Sequence, residues 1–240
     1  MAPHDALSEF DLIKQYFVRQ RPGRATLGIG DDCALITPGA GKQIAISSDM
    51  LVEDRHFFAG ADARMLGHKS LAVNLSDLAA MGARPVAFTL ALALPQAERA
   101  WLAGFAEGLF ALADAFGCEL IGGDTTKGPL NICITVFGEL APGQALRRSA
   151  AVAGDDIWVS GTLGDARLAL AGYRKEQALS PADLAMAGAR MHTPTPRVAL
   201  GCALAEAGLA HAAIDISDGL VDAAGQPLDL QLSSFDHFSA

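Results

Sequence analysis

The stretch AVNLSDLAAMGARPVAFTLALALP, residues 72–95, combines a helix, a stop signal and a strand. Gly82, followed shortly by Pro85, predicts the end of a helix over residues 62–81. The apolar run after Pro85 predicts a buried strand over residues 86–94. A helix joined in this way to a buried strand is typical of proteins in which the two elements pack together.

Asp77 lies inside the apolar part of this helix. A carboxylate among apolar side chains is costly unless a cation, a hydrogen-bond partner or exposure to water compensates its charge. The sequence of the helix alone leaves these three possibilities open. The apolar positions around it and the two tryptophans are predicted to lie in the core, namely Leu71, Leu75, Leu78, Trp101 and Trp158.

Strands and helices alternate along the rest of the chain. Further strands are predicted over 42–50 (ending at polar Ser47, Ser48 and Asp49), 120–128, 130–139, 156–161 and 212–215. Further helices are predicted near residues 8–20, over 96–116, from Asp165, over 181–191 and over 197–207. The alternation indicates a mixed α/β (α+β) fold.

The segment APGQALRRSAAVAGDDIWVSG, residues 141–161, mixes Pro, Gly and basic residues and is the best candidate for a domain boundary. It divides the chain near residue 150. We therefore expect an N-terminal α/β domain over residues 1–150 and a second α/β domain over residues 151–240.

Composition restricts the function of the chain. Its 240 residues are 51% hydrophobic and 19% charged, which is typical of a folded protein, and its net charge of −9 argues against a nucleic-acid partner. The four cysteines form no CxxC pair, and neither a signal peptide nor a membrane-spanning run is apparent. These features predict a reduced, cytoplasmic chain that does not associate with membranes.

Acidic residues recur beside Gly, Ser or Thr in several separated motifs. They occur in GIGDD (Asp31, Asp32), ISSD (Ser47, Ser48, Asp49), GGDTT (Asp124, Thr125) and IDISDG (Asp215, Ser217, Asp218), with Asp77 as a fifth site. One such motif alone is as well explained by a turn or a helix cap. Five together in an acidic chain favour several Mg²⁺ ions that bridge to a polyphosphate, because carboxylate and hydroxyl oxygens suit this hard cation.

The basic residues fit this interpretation without requiring it. Lys69 precedes Asp77 on the same helix, and Arg147 and Arg148 could reach a nucleotide phosphate. Ordinary solvated surface charge explains these three residues equally well. His56 matches no metal-binding motif. No Walker A loop and no protein-kinase motif set is present. If the chain is a phosphotransferase, it therefore belongs to neither of the two common ATP-binding classes.

Five motifs in order carry a resemblance to a known family. GIGDDCALI, ISSDMLVEDRHF, HKSLAVNLSDLAAMGARP, IGGDTTKGPL and IDISDGL resemble those of the thiamine-monophosphate kinases. That family belongs to a superfamily with aminoimidazole ribonucleotide synthetase, selenophosphate synthetase and HypE. The resemblance covers about residues 10–220. It implies a two-domain fold like that of aminoimidazole ribonucleotide synthetase and a homodimer whose N-terminal domains pair their sheets.

The resemblance also implies a reaction and its residues. ATP would donate its γ-phosphoryl group to thiamine monophosphate, giving thiamine diphosphate, and no side chain would act as acid, base or nucleophile. His56 would contact the thiamine phosphate. The implied Mg²⁺ ligands are Asp32, Ser47, Ser48, Asp49, Asp77, Asp124, Asp215 and Asp218. The implied ATP contacts are Gly123, Asp124, Arg148 and Ser217.

The resemblance ends after DISDGL, where the tail VDAAGQPLDLQLSSFDHFSA does not align with the family. We therefore expect an incomplete second domain in a shortened or divergent chain. Three alternatives to the kinase remain open: a non-catalytic, dimeric Mg–nucleotide-binding remnant, another ATP-dependent enzyme of the superfamily, and a structural protein whose acids are turn residues.

Overall fold

The computed structural model describes residues 9–19 and 23–217, and it confirms the mixed α/β fold with mixed strand directions. The helices are α1 (Glu9–Leu12), α2 (Ala63–Ala80), α3 (Arg99–Phe116), α4 (Asp165–Tyr173), α5 (Pro181–His192) and α6 (Val198–Ala207). The strands are β1 (Ala25–Leu27), β2 (Leu35–Ile36), β3 (Gln43–Val52), β4 (Arg84–Leu94), β5 (Glu119–Lys127) and β6 (Asn131–Leu140). A π-helical turn, Ile13–Phe17, follows α1, and a 3₁₀ turn, Arg148–Ala150, precedes α4.

The main sheet has four strands in the order β3-β6-β4-β5. Strand β6 is antiparallel to both of its neighbours, and β4 and β5 are parallel because α3 connects them as a crossover. Strands β1 and β2 form a separate antiparallel ribbon. Within the described residues, β3 and β5 are therefore the two edges of the main sheet.

Helix α2 lies at the centre of the molecule, between the sheet and the helices α3 and α6. Its N-terminus is capped by Asp62, whose carboxylate accepts a hydrogen bond from the Met65 amide at 2.8 Å. Its C-terminus is followed by Gly82 at a φ of +70°, which confirms the predicted stop. Leu71, Leu75 and Leu78 are fully buried, as predicted.

Helices α2 and α3 approach each other closely because each carries a glycine at the crossing. A Cβ atom on Gly67 would lie 2.1 Å from the Phe105 carbonyl oxygen, and one on Gly108 would lie 1.8 Å from the Arg64 carbonyl oxygen. This close packing leaves α2 buried on nearly every side. Its polar side chains therefore need partners inside the protein. No helix in the described ranges is both long enough and apolar enough to cross a membrane.

The two faces of the sheet have different surroundings. Along β4, Phe88, Leu90 and Leu92 are buried beneath the helices, whereas Ala91 between them is exposed. We call these the helix face and the open face of the sheet. The β1–β2 ribbon covers one end of the sheet, where Ala25 of β1 and Ile36 of β2 pack against a small buried cluster of Val86, Ala87 and Ile121.

Strand β3 corrects one prediction. The sequence predicted that this strand ends at Ser47, Ser48 and Asp49, but β3 pairs with β6 along its whole length to Val52. The polar triplet therefore lies inside the strand and divides between the two faces. The prediction failed because the hydrogen bonds to β6 sustain extended backbone through side chains that favour turns in isolation.

The second half of the chain contains α4, α5 and α6 but, within the described residues, no strand. The predicted strands over 156–161 and 212–215 are wrong, because neither segment has a partner strand beside it in the described region. Trp158 was predicted to lie in the core, yet it is 66% exposed. Trp101 is partly buried and stacks on Phe105 with ring centroids 5.0 Å apart.

Candidate active site

The centre of the candidate site is the contact between β3 and α2. Ser47 and Asp49 lie on the helix face of β3, and the Ser47 hydroxyl donates a hydrogen bond to Asp77 of α2. The buried Asn74 fixes the two elements in register, because its Oδ1 accepts from the Asp49 amide at 3.1 Å. Its Nδ2 donates to the Ser70 carbonyl oxygen at 3.0 Å, so the Asn74 amide is held from both sides.

Two residues from the second half of the chain complete this group. Asp215 is only 5% exposed, and its Oδ1 lies 3.9 Å from the guanidinium of Arg148, whose side chain is largely exposed. Asp215 also interacts electrostatically with Asp77 and Asp49. We call Ser47, Asp49, Asp77, Arg148 and Asp215 the acidic cluster.

Two carboxyl groups of the acidic cluster, those of Asp77 and Asp215, resist ionisation. Burial and the neighbouring charges of Asp77 and Asp49 raise the pKa of Asp215 to about 7, against the opposing pull of Arg148. Burial also raises the pKa of Asp77, although the Ser47 hydroxyl and Arg148 act in the opposite direction. At Asp215, Arg148 thus only partly offsets the effects of burial and of the two neighbouring carboxylates.

The donor atoms of the acidic cluster suit Mg²⁺, since they are carboxylate and hydroxyl oxygens without a soft ligand among them. A divalent cation would also relieve the repulsion that raises the Asp215 pKa. Across residues 9–19 and 23–217, no three His, Cys, Asp or Glu side chains already form a metal-ligating group. An ion here would need further oxygens, as Mg²⁺ commonly takes from water and from phosphates of its substrate.

Two other predicted residues lie at the opposite edge of the sheet. Gly123 has a φ of +146°, and a Cβ atom there would lie 1.8 Å from the Leu90 carbonyl oxygen, so this position requires glycine. Asp124 pairs with Ala91 and therefore belongs to the open face. Its strand is three strand spacings, about 14 Å, from β3. Within one chain Asp124 is separate from the acidic cluster.

Ser48 is also on the open face, since its neighbours on β3 point to the helices. Its hydroxyl lies 2.9 Å from the Thr135 hydroxyl and donates to the Ile134 carbonyl oxygen at 3.2 Å. Ser48 and Asp124 thus share a face but occupy opposite edges. Of the other predicted residues, Asp32 is exposed between β1 and β2, and Ser217 is the last described residue. Asp218 lies outside the described residues.

His56 belongs to a tight turn that follows β3. Its amide donates to the Val52 carbonyl oxygen at 2.9 Å, and its ring Nδ1 accepts from the Val52 amide at 3.0 Å. Asp54 within the turn has a φ of +62°. Lys69 of α2 donates to the His56 carbonyl oxygen at 3.0 Å.

The interpretation of Lys69 as a surface charge is wrong, because only 3% of the residue is exposed. Burial lowers its pKa to about 8. Burial and the charges of Lys69 and Arg55 lower the pKa of His56, although the backbone hydrogen bond with Val52 acts in the opposite direction, and the net lowering favours the neutral ring near pH 7. In contrast, Arg148 is exposed, as the surface interpretation expected.

Sequence reasoning missed Asn74 as a residue of the site. Its position between apolar neighbours, three residues before Asp77, was the available signal, because a buried amide must find partners. Its partner on β3 follows only from the packing of α2 against the sheet.

The fold and these motifs define a class of protein. Residues 30–140 match the family described as AIR synthase related protein, N-terminal domain. This range runs from the GDD motif to the end of β6 and includes Ser47, Asp49, Asp77 and Asp124.

Comparison with individual relatives identifies the family within that class. The chain is 46% identical over 223 residues to the thiamine-monophosphate kinase of Salmonella typhimurium, covering 92% of this chain and 68% of that protein. The crystal structure of thiamine-monophosphate kinase from Stenotrophomonas maltophilia K279a matches with a TM-score of 0.78 and 48% identity, over 88% of this chain and 67% of that one. The chain belongs to the thiamine-monophosphate kinase family, and the predicted kinase class is confirmed.

A third comparison concerns a relative with bound ligands. The structure of AaThiL complexed with AMPPCP and TMP matches with a TM-score of 0.71 and 31% identity, over 78% of this chain and 60% of that chain. The present chain spans about two thirds of the length of its curated relatives.

Proposed function

We propose that this chain transfers the γ-phosphoryl group of ATP to thiamine monophosphate, giving ADP and thiamine diphosphate. The observation that carries the proposal is the acidic cluster at the β3–α2 contact in a member of this kinase family. The complex of a relative with AMPPCP and TMP supports the two substrates. A cytoplasmic location and a domain boundary near residue 150 belong to the same proposal.

The chemistry explains why no acid, base or nucleophile is needed. The acceptor is an ionised phosphate oxygen, which forms a bond to the γ-phosphorus as the bond from that phosphorus to the β,γ-bridging oxygen breaks. The barrier comes from bringing two anions together, so catalysis requires positioning and compensation of charge. Arg148, exposed beside Asp215, can supply positive charge to a nucleotide phosphate.

Mg²⁺, when bound, would neutralise the phosphate oxygens of both substrates. Several such ions would be held by Ser47, Asp49, Asp77 and Asp215 of the acidic cluster, by Ser48 and Asp124 of the open face, and by Asp32 and Asp218. Gly123, Asp124 and Ser217 would contact ATP together with Arg148. His56 would contact the phosphate of thiamine monophosphate.

A homodimer would bring the two edges of the sheet together. The exposed apolar side chains of Ile46 and Met50 on the open face of β3 support a second copy there. Within one chain, β3 and β5 are about 14 Å apart. If β3 of one copy paired with β5 of the other, these two strands would be one strand spacing apart, about 4.8 Å. Asp124 of one copy would then lie beside β3 of the partner copy.

The direct test of the proposed activity is an assay of thiamine diphosphate formation by this chain with ATP, thiamine monophosphate and Mg²⁺. We expect product that depends on all three components. Mg-dependent nucleotide binding without any product would contradict the proposal and favour the non-catalytic alternative.

The dimer proposal is tested by mixing two inactive variants, Asp49→Asn and Asp124→Asn. If each site takes Asp49 from one copy and Asp124 from the other, complete exchange makes half of all dimers mixed, and each mixed dimer carries one intact site of its two. Activity should then recover to about 25% of the wild-type value after subunit exchange. No recovery, with exchange demonstrated by a mass label, would contradict the shared site.

A further inference from the structure

The buried ammonium of Lys69 has no role in the mechanism proposed above, yet its position is costly. A buried lysine loses the hydration of its charge, and this loss lowers its pKa to about 8. Lys69 is also too deeply buried to touch a ligand, since only 3% of it is exposed. A function for Lys69 must therefore act through a neighbouring residue.

That neighbour is His56, which is restrained through both its main chain and its ring. Lys69 Nζ donates to the His56 carbonyl oxygen at 3.0 Å, across thirteen positions of sequence. The ring Nδ1 accepts from the Val52 amide at 3.0 Å. A neutral imidazole whose Nδ1 accepts a hydrogen bond carries its proton on Nε2.

We propose that Lys69 is a positioning residue that fixes the Val52–Phe57 turn, so that His56 presents Nε2–H as a hydrogen-bond donor to the phosphate of the acceptor substrate. The inference rests on the proposed function for the identity of that phosphate. It adds a fixed tautomer and the residue that maintains it. The charge of Lys69 also disfavours a second proton on the ring.

Residues of α4 and α5 also lie near this turn. His192 of α5 lies near Lys69, and burial and the Lys69 charge lower its pKa, with Asp62 acting in the opposite direction. Phe58, next to the turn, packs edge-on against Tyr173 of α4 with ring centroids 6.0 Å apart. The turn is thus held between α2 and the α4–α5 pair.

The tautomer can be measured on the unmodified protein by ¹⁵N NMR of the His56 ring, assigned by comparison with His56→Gln. We expect the proton on Nε2 and a scalar coupling across the hydrogen bond between Nδ1 and the Val52 amide nitrogen. A proton on Nδ1, or rapid averaging between the tautomers, would overturn the inference. This measurement requires no turnover, so it stands even if the proposed activity fails.

The positioning role is tested by Lys69→Met, with Arg64→Met as a matched control because Arg64 is an exposed cation on the same helix. Lys69→Met should raise KM for thiamine monophosphate about three- to tenfold and leave KM for ATP within about twofold. The control should change neither value. In a His56→Ala background, Lys69→Met should have less than about a twofold further effect on KM. An equal rise in both backgrounds would show that Lys69 acts independently of His56 and would overturn the inference.

Discussion

Lys69 and Asp77 lie eight residues apart on α2, and the protein compensates their opposite charges differently. Lys69 is buried, and its ammonium donates to a carbonyl oxygen of the same chain. Asp77 is partly buried against Ser47 and interacts electrostatically with Asp215, another carboxylate. The positive charge therefore contacts an oxygen of the fold, whereas Asp77 lies close enough to a second carboxylate to be repelled by it.

This difference separates two uses of a buried charge. A charged group that the chain satisfies by itself can position its neighbours. A group of carboxylates that repel one another has affinity for a cation from solution, because the cation removes the repulsion. We infer that Lys69 organises the Val52–Phe57 turn and that Asp77 belongs to the surface that binds Mg²⁺ and nucleotide.

The largest effect is expected from Asp77→Asn, which keeps the shape of the side chain and removes its charge. We expect thiamine diphosphate formation to fall by at least about a hundredfold, as is typical when an electrostatic group in an active site is removed. The thermal stabilisation that Mg²⁺ and ATP give together should also disappear. Glu107→Gln, at an exposed position of α3, is the control and should retain both properties. Full activity of Asp77→Asn would remove Asp77 from the site.

Without metal, ionisation of Asp215 should destabilise the folded protein. Its pKa of about 7 in the fold lies above its ordinary value of 3.8, so the folded state holds the proton more tightly than the unfolded state. The contribution of Asp215 to stability is therefore present below about pH 4 and is lost as the pH rises through 7. Urea unfolding in EDTA measures this loss. The free energy of unfolding of Asp215→Asn, relative to that of the wild type, should rise by up to about 4 kcal/mol between pH 4 and pH 8.

Mg²⁺ sharpens this test, because it should reduce the advantage of Asp215→Asn at pH 8 by stabilising the wild type selectively. A difference between the two proteins that stays constant from pH 4 to pH 8 would contradict the assigned repulsion.

At Lys69 the dependence of stability on pH should have the opposite sign to that at Asp215. Its pKa of about 8 in the fold lies below its ordinary value of 10.5, so the unfolded state holds the proton more tightly. The contribution of Lys69 to stability is present above pH 10.5 and is lost as the pH falls through 8. In urea unfolding, the free energy of unfolding of the wild type, relative to that of Lys69→Met, should therefore rise by up to about 3 kcal/mol between pH 8 and pH 10.5. Mg²⁺ should leave this slope unchanged, and a slope that responds to Mg²⁺ would contradict the separation of the two regions.

The smallest effect is expected from Ser47→Ala. Loss of its hydrogen bond should raise the pKa of Asp77 further and weaken Mg-dependent ATP binding about tenfold, since one hydrogen bond to a charged group contributes about 1.5 kcal/mol. Thr26→Ala is the control, because it removes a hydroxyl that donates a hydrogen bond within the β1–β2 ribbon, away from the site. Calorimetric titration of both variants measures the difference. Equal affinities for the two variants would show that the Ser47–Asp77 bond has no part in binding.

Much of this arrangement was accessible from the sequence because strong local signals coincided. The long apolar helix with Gly82 after it, the strand that follows Pro85 and the motif set of the family all led to correct predictions. Local signals failed where a partner element decides the structure. Residues 156–161 have the composition of a strand, but no neighbouring strand pairs with them in the described region, and Trp158 is exposed.

The site was predictable as a set of residue types rather than as an arrangement. The motifs identified Asp49, Asp77 and Asp124 as candidate ligands, but the strand order separates Asp124 from the other two. The partnership of Asn74 with β3 and that of Lys69 with the His56 turn both join residues from different elements. Such contacts depend on how α2 packs against the sheet, and no local pattern records that packing.

We infer that the acidic cluster needs cations to bind a triphosphate. Isothermal titration of a non-hydrolysable ATP analogue into this chain at pH 8, with Mg²⁺ or with EDTA, tests this claim. We predict binding at least about tenfold tighter with Mg²⁺, because the cation compensates the charges of both the carboxylates and the phosphates. Equal affinity in the two conditions, or no binding with Mg²⁺ present, would contradict the claim.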